Sequence, residues 1–124
     1  MPHTIRITVG DIELTAVLHD TETARRIWEA LPLEATGSLW GDEIYFDIPV
    51  EMGEEDSQAV VEVGDLGYWP VGQAFCLFWG PTPMSEGDEI RPASPVNVFG
   101  RIVEDARLLG SASTTRVRVE RVEG

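Results

Sequence analysis

Hydrophobic and polar positions alternate with period two through the opening of the chain. His3, Ile5, Ile7 and Val9 alternate with Thr4, Arg6 and Thr8, and after Gly10-Asp11 the pattern resumes as Ile12, Leu14, Ala16 and Leu18 against Glu13 and Thr15. Successive side chains of a strand point to opposite faces, so two such runs across a short turn predict a β-hairpin. The period then lengthens. Ala24, Ile27, Trp28 and Leu31 stand at i, i+3, i+4 and i+7, with Arg25, Arg26 and Glu29 on the other side. This spacing predicts one amphipathic helix of about three turns, capped by Asp20 or Thr21 and ended by Pro32.

A strand is expected from Leu33 to Trp40, then a Gly41-Asp42 turn and a strand from Glu43 to Ile48 that stops at Pro49, a second hairpin. Glu51 to Ser57 reads as an acidic loop, Ala59 to Val63 as another strand, and Gly64 to Gly72 as turn-like sequence. Ala74 to Trp79 is apolar throughout, which predicts a strand covered on both faces at the centre of the core. Gly80 to Pro95 holds four of the chain's eight prolines and predicts a long irregular loop, a kind of connection that often carries function. Val96 to Glu104 and Thr114 to Glu123 are the last expected strands, joined through Leu108-Leu109-Gly110. About eight strands and one short α-helix argue for a mainly β fold, a closed eight-stranded β-barrel occupying residues 1-124 as a single domain.

Composition narrows the chemistry. Among 124 residues there are 22 acidic and nine basic side chains, a formal net charge of −13, and all nine basic residues are arginine. Without lysine the chain has no Schiff-base lysine, no P-loop lysine and no lysine general base. The negative field opposes binding to phosphate backbones and anionic lipid, so neither nucleic acid nor a membrane is an expected partner. One cysteine, Cys76, allows no intrachain disulfide. The start, Met1 to Arg6, has no apolar signal segment and no run is long enough to span a membrane, so a cytoplasmic location is expected. The acidity fits either a high-salt environment or a genome that favours arginine codons.

No strong catalytic signature emerges. His3, His19 and Cys76 lack the spacing of a zinc motif, Glu54-Glu55-Asp56 lacks the ligand pattern of a calcium loop, and neither a metal nor another cofactor is expected. Cys76, between Phe75 and Leu77, reads as a buried inert thiol. Glu43 and Asp47 share a strand face with Tyr45, but at about 3.3 Å per residue they lie roughly 13 Å apart, too far for a paired-carboxylate mechanism. The remaining signal is aromatic. Tyr68, Trp69, Phe75, Phe78, Trp79 and Phe99 concentrate in the second half, and Tyr68-Trp69-Pro70 in turn-like sequence suggests a groove wall as well as core filling. Asn97, between Val96 and Val98, either bonds barrel backbone or faces a ligand cavity.

The segments Gly64-Asp65-Leu66-Gly67-Tyr68-Trp69-Pro70-Val71-Gly72-Gln73-Ala74, Phe78-Trp79-Gly80-Pro81-Thr82-Pro83 and Pro95-Val96-Asn97-Val98-Phe99-Gly100 resemble those of the small prokaryotic cyclophilin-like family, a group of archaeal and bacterial proteins without an established function. Gly41 to Phe46 and the terminal strands extend the resemblance to almost the whole chain. It implies an eight-stranded cyclophilin-type barrel with reduced helix content. It does not carry over prolyl isomerase activity, because the Phe-His-Arg strand and Gln-Gly-Gly-Asp segment of true cyclophilins are missing. A donor to the prolyl nitrogen would have to be another arginine, and Arg91 and Arg101, flanking the Pro-rich loop and Phe99, are the candidates. The leading expectation is a barrel that binds a peptide or small molecule in a groove lined by Tyr68, Trp69, Gln73, Phe78, Asn97 and Phe99. A weak prolyl cis/trans isomerase is the alternative, and an assembly module using a sheet edge is a third reading. The oligomeric state stays open.

Overall fold

The computed structural model describes residues 3–122. Nine strands form one sheet: β1 Thr4–Val9, β2 Ile12–Leu18, β3 Leu33–Thr36, β4 Ser38–Leu39, β5 Glu43–Asp47, β6 Asp65–Trp69, β7 Ala74–Phe78, β8 Asn97–Ile102 and β9 Arg116–Val122. Their order across the sheet is β3-β9-β1-β2-β8-β6-β7-β5-β4, with every named pair antiparallel. One α-helix, α1 (Glu22–Ala30), and one 3-10 turn, Ala106–Ser111, complete the fold.

The expected eight strands and the observed nine differ by one break. Leu33 to Leu39 pairs with β9 before Gly37 and with β5 after it, so a single bent segment joins the two ends of the sheet and nearly closes the barrel. Gly37 permits this crossing: a Cβ there would stand 2.7 Å from Ile44 Cγ2 and 3.2 Å from the Tyr45 carbonyl oxygen. The open edges among the described residues are those of β3 and β4, four and two residues long.

Strand alternation divides the apolar residues between two cores. Ile5, Ile7, Leu14, Ile44, Phe46, Leu66, Tyr68, Phe75, Leu77 and Phe99 fill the barrel interior with Ile27 of α1. On the outer face of β5, β6 and β7 a second, smaller core gathers Ala74, Cys76 and Phe78 under Val61, Ile90 and Val96. This explains why β7 is buried at every position: its inward residues meet the barrel interior, while its outward ones lie beneath the Pro-rich loop.

Three elements differ from the sequence pattern. Asp65 to Trp69, expected as turn-like, is a central strand bonded to both β7 and β8. Its Leu66 and Tyr68 do alternate, but Asp65 and Gly67 mask the outward positions. Ala59 to Val63, expected as a strand, makes only an isolated bridge, Val61 to Ile90, because its partner is loop. The joint at Leu108-Leu109-Gly110 is part of the 3-10 turn. The expected strand ending at Glu123 reaches Val122, and Glu123 lies outside the described residues.

Of the two expected caps of α1, Asp20 and Thr21, it is Thr21 whose hydroxyl accepts from the Ala24 N–H at 3.1 Å. Glu55 adds a second cap from the acidic loop, accepting from the Glu22 and Thr23 N–H groups at 3.1 and 2.9 Å and from the Thr23 hydroxyl at 2.7 Å. A negative carboxylate suits the partial positive charge of a helix start. The Thr23 hydroxyl and then its N–H hold the Glu55 carboxyl below its ordinary range. No helix among the described residues is long and apolar enough to cross a membrane.

Candidate functional site

The outer face of the β5-β7-β6 sheet carries a cavity of about 200 Å³ lined by Trp40, Glu43, Tyr45, Trp69, Cys76, Pro92, Ala93 and Val96. Register assembles it. Tyr45 of β5 lies opposite Cys76 of β7, and Glu43 opposite Phe78, so Glu43, Tyr45 and Cys76 share the outward face. Trp69 lies opposite Ala74 on the other flank of β7. Trp40 joins Glu43 across the two-residue Gly41-Asp42 turn, where the Trp40 N–H donates to the Glu43 carbonyl at 2.9 Å.

The Pro-rich loop supplies the remaining wall and is tied down along its length. The Asp42 N–H donates to the Pro81 carbonyl at 3.0 Å, the Val61 N–H to the Ile90 carbonyl at 2.9 Å, and Gln58 and Val96 exchange backbone bonds of 2.7 and 3.1 Å. Within the loop, Ser85 Oγ accepts from the Thr82 and Arg91 N–H groups at 2.9 and 3.1 Å, and the Thr82 hydroxyl donates to the Arg91 carbonyl. These bonds fix Pro92 and Ala93 over the sheet without regular structure. The Trp69 indole N–H donates to Ser94 Oγ, pinning that ring to the loop. Gly72 leaves room for the same ring, since a Cβ there would stand 2.5 Å from two of its carbons.

Glu43 is the unusual member. It is only 5% exposed, and its Oε1 is buried with no hydrogen-bond partner. Burial pushes its carboxyl up to about 7, partly offset by the neighbouring Cys76 thiol. An isolated carboxylate is costly in an apolar setting, so a proton is retained close to neutrality. Cys76 is buried, and burial followed by the Glu43 charge raises its thiol well above the ordinary value. Such a thiol is a poor nucleophile. The cavity therefore offers one acid of adjustable charge, three partly exposed aromatic rings at Trp40, Tyr45 and Trp69, and otherwise apolar walls.

The residues nominated from sequence fall in several places. Trp69 lines the cavity. Tyr68, Phe78 and Phe99 are fully buried: Tyr68 and Phe99 in the barrel interior, Phe78 in the outer core beside the cavity. The Tyr68 hydroxyl donates to the Val50 carbonyl at 2.6 Å and accepts from the Met52 N–H at 3.3 Å. Asn97 is buried and bonds neighbouring chain: its Nδ2 donates to the Thr23 hydroxyl at 3.2 Å and the Gly53 carbonyl at 3.0 Å, and its Oδ1 accepts from the Glu55 N–H at 2.9 Å. Gln73 is exposed in the β6-β7 turn with φ +50°. Arg91 pairs with Glu89 at 2.6 Å, and Arg101 with Glu62 at 3.2 Å and Asp65 at 3.6 Å; neither lines the cavity. The single apolar groove drawn from the aromatic cluster thus separates into core residues and one cavity wall. Sequence reasoning missed Trp40, Glu43, Tyr45 and Pro92 as one site. The available signal was a carboxylate on a strand beside β7, the chain's most uniformly buried segment.

Among the described residues no three His, Cys, Asp or Glu side chains converge where they could hold a metal ion. A model of the family described as cyclophilin-like matches residues 3–120. The chain is similar to a hypothetical protein of Archaeoglobus fulgidus whose structure was determined in solution, at 45% identity and a TM-score of 0.81, covering 98% of this chain and 95% of that one. No curated protein matches it. The chain, a barrel nearly closed through Gly37 and roofed by the Pro-rich loop, belongs to the cyclophilin-like family.

Proposed function

We propose that this protein is a binding module whose cavity on the outer barrel face takes a small molecule, or a single side chain of a peptide, against Glu43. The observation that carries this reading is the buried, unpartnered Oε1 of Glu43 beside a cavity with three aromatic walls. Buried polar atoms are nearly always paired, and one left without a partner next to an open apolar space suits a ligand that supplies the missing contact. At about 30 Å³ per water, the cavity has room for roughly six or seven non-hydrogen atoms, so the recognised part is a compact group.

The binding reading fits better than prolyl isomerisation. That chemistry asks for a hydrogen-bond donor at the prolyl nitrogen, and the two candidate arginines are engaged with acids away from the cavity. It also fits better than assembly through a sheet edge, because the edges among the described residues are short and joined to each other at Gly37. Amide chemical-shift mapping with a panel of short proline peptides and fragments of up to about seven heavy atoms tests the proposal. Shifts should concentrate at Trp40, Tyr45, Trp69, Cys76 and Val96; shifts confined to other surfaces, or absent throughout, would refute it.

A further inference from the structure

We infer that the group taken by this cavity is an organic ammonium, primary or methylated, seated among the rings of Trp40, Tyr45 and Trp69 with its charge on the Glu43 carboxylate. This deepens the binding reading above and rests on it. The lining residues include one carboxyl and no basic side chain, so the sole formal charge available to a ligand is negative. Three aromatic rings in one small cavity form the setting in which alkylammonium groups are bound, because the ring faces carry partial negative charge and the methyl groups bury apolar surface. The Trp69 indole N–H is already used by Ser94, which leaves its ring surface as the feature it can offer.

The rest of the molecule agrees with this choice. A net charge of −13 draws cations toward the surface and repels anionic ligands. Seven of the nine arginines are paired with acidic side chains, Arg121 lies over the Trp28 ring, and none reaches the cavity to compensate Glu43. Burial without a partner is what keeps the Glu43 proton bound, and an ammonium beside the carboxyl in the cavity it lines supplies the opposite charge that favours the ionised form. Occupation of the site should therefore expel the proton. Because the carboxyl of the free protein titrates at about 7, binding at neutral pH should release about half a proton per site.

Titration calorimetry with the full chain distinguishes the possibilities, using n-butylammonium and tetramethylammonium against butan-1-ol and tert-butanol in physiological salt. The cations should bind at least about tenfold more tightly than the alcohols, a difference of about 1.4 kcal/mol. The heat should vary with buffer ionisation enthalpy as expected for proton release. Glu43→Gln should remove the preference for cations, while Trp69→Leu should weaken them without restoring the alcohols. Equal or tighter binding of the alcohols would overturn the ammonium assignment and leave the cavity as a binding site for neutral groups. Cation binding unchanged by Glu43→Gln would overturn it too, by placing the cations on the acidic surface. No heat with any probe, together with no chemical shift change at the cavity, would remove the binding reading itself.

Discussion

Replacing Glu43 with glutamine should change how the protein's stability depends on pH. At about pH 4 the carboxyl is mostly protonated in both the folded and the unfolded chain. As pH rises from 4.5 toward about 7, the unfolded chain loses this proton while the folded chain retains it. The folded state then binds more protons than the unfolded one, so this group's contribution to stability falls as pH rises and the loss is complete above about 7. The interval from 4.5 to about 7, at about 1.4 kcal/mol per tenfold change, amounts to about 3 kcal/mol. Glutamine keeps the shape of the side chain but does not titrate, so the difference between variant and parent isolates Glu43 from the other acids. Urea denaturation of both proteins across about pH 4 to 8.5 measures it. The variant should gain about 3 kcal/mol on the parent from the acid to the alkaline end, whatever fixed offset the amide introduces at all pH values. A difference that stays constant with pH, or one that favours the parent as pH rises, would refute the desolvated state of this carboxyl.

Further changes test other parts of the structure. Asn97→Ala leaves the Glu55 N–H and the Gly53 carbonyl without their partners and should cost about 2 to 4 kcal/mol in denaturant unfolding. Gly37→Ala places a methyl 2.7 Å from Ile44 Cγ2 where the chain crosses between sheet ends, and should cost about 1 to 3 kcal/mol of stability, read as a lower urea midpoint. Tyr68→Phe should cost about 1 to 2 kcal/mol through the lost bond to Val50, with no change in any ligand titration. Arg91→Ala breaks a half-buried pair with Glu89 and should cost about 1 kcal/mol, while Arg101→Ala also takes the cation from the largely buried Asp65 and should cost more, about 1 to 2 kcal/mol; both should leave ligand binding unchanged.

Much of the fold was legible because strand alternation was clean where one face met the barrel interior. The β1-β2 hairpin, α1 with its Thr21 cap, and the fully covered β7 all follow from periodicity. The strand at Asp65 to Trp69 was hidden because a buried aspartate and a glycine occupy outward positions usually read as turn signals. Asp65 is held there by accepting from the nearby Glu62 N–H at 2.9 Å and by Arg101, a residue distant in sequence. The site was less visible for a related reason. Aromatic density in the second half of the chain singled out Trp69 but not Trp40 or Tyr45, and it does not reveal which face of a strand each ring takes. Tyr68 points inward and Trp69 outward because they are neighbours on β6, and Phe99 follows the inward set. Glu43 gained its importance from a loop some forty to fifty residues later that covers its face of the sheet, a contact that no local pattern encodes.

The most direct test follows the Glu43 side-chain carboxyl resonance by carbon NMR from about pH 4 to 9, alone and saturated with n-butylammonium. In the free protein its midpoint should lie at about 7, and the ammonium should lower it. A midpoint near the ordinary 4.5, unmoved by the cation, would contradict a desolvated carboxyl awaiting a ligand on the outer face of the barrel.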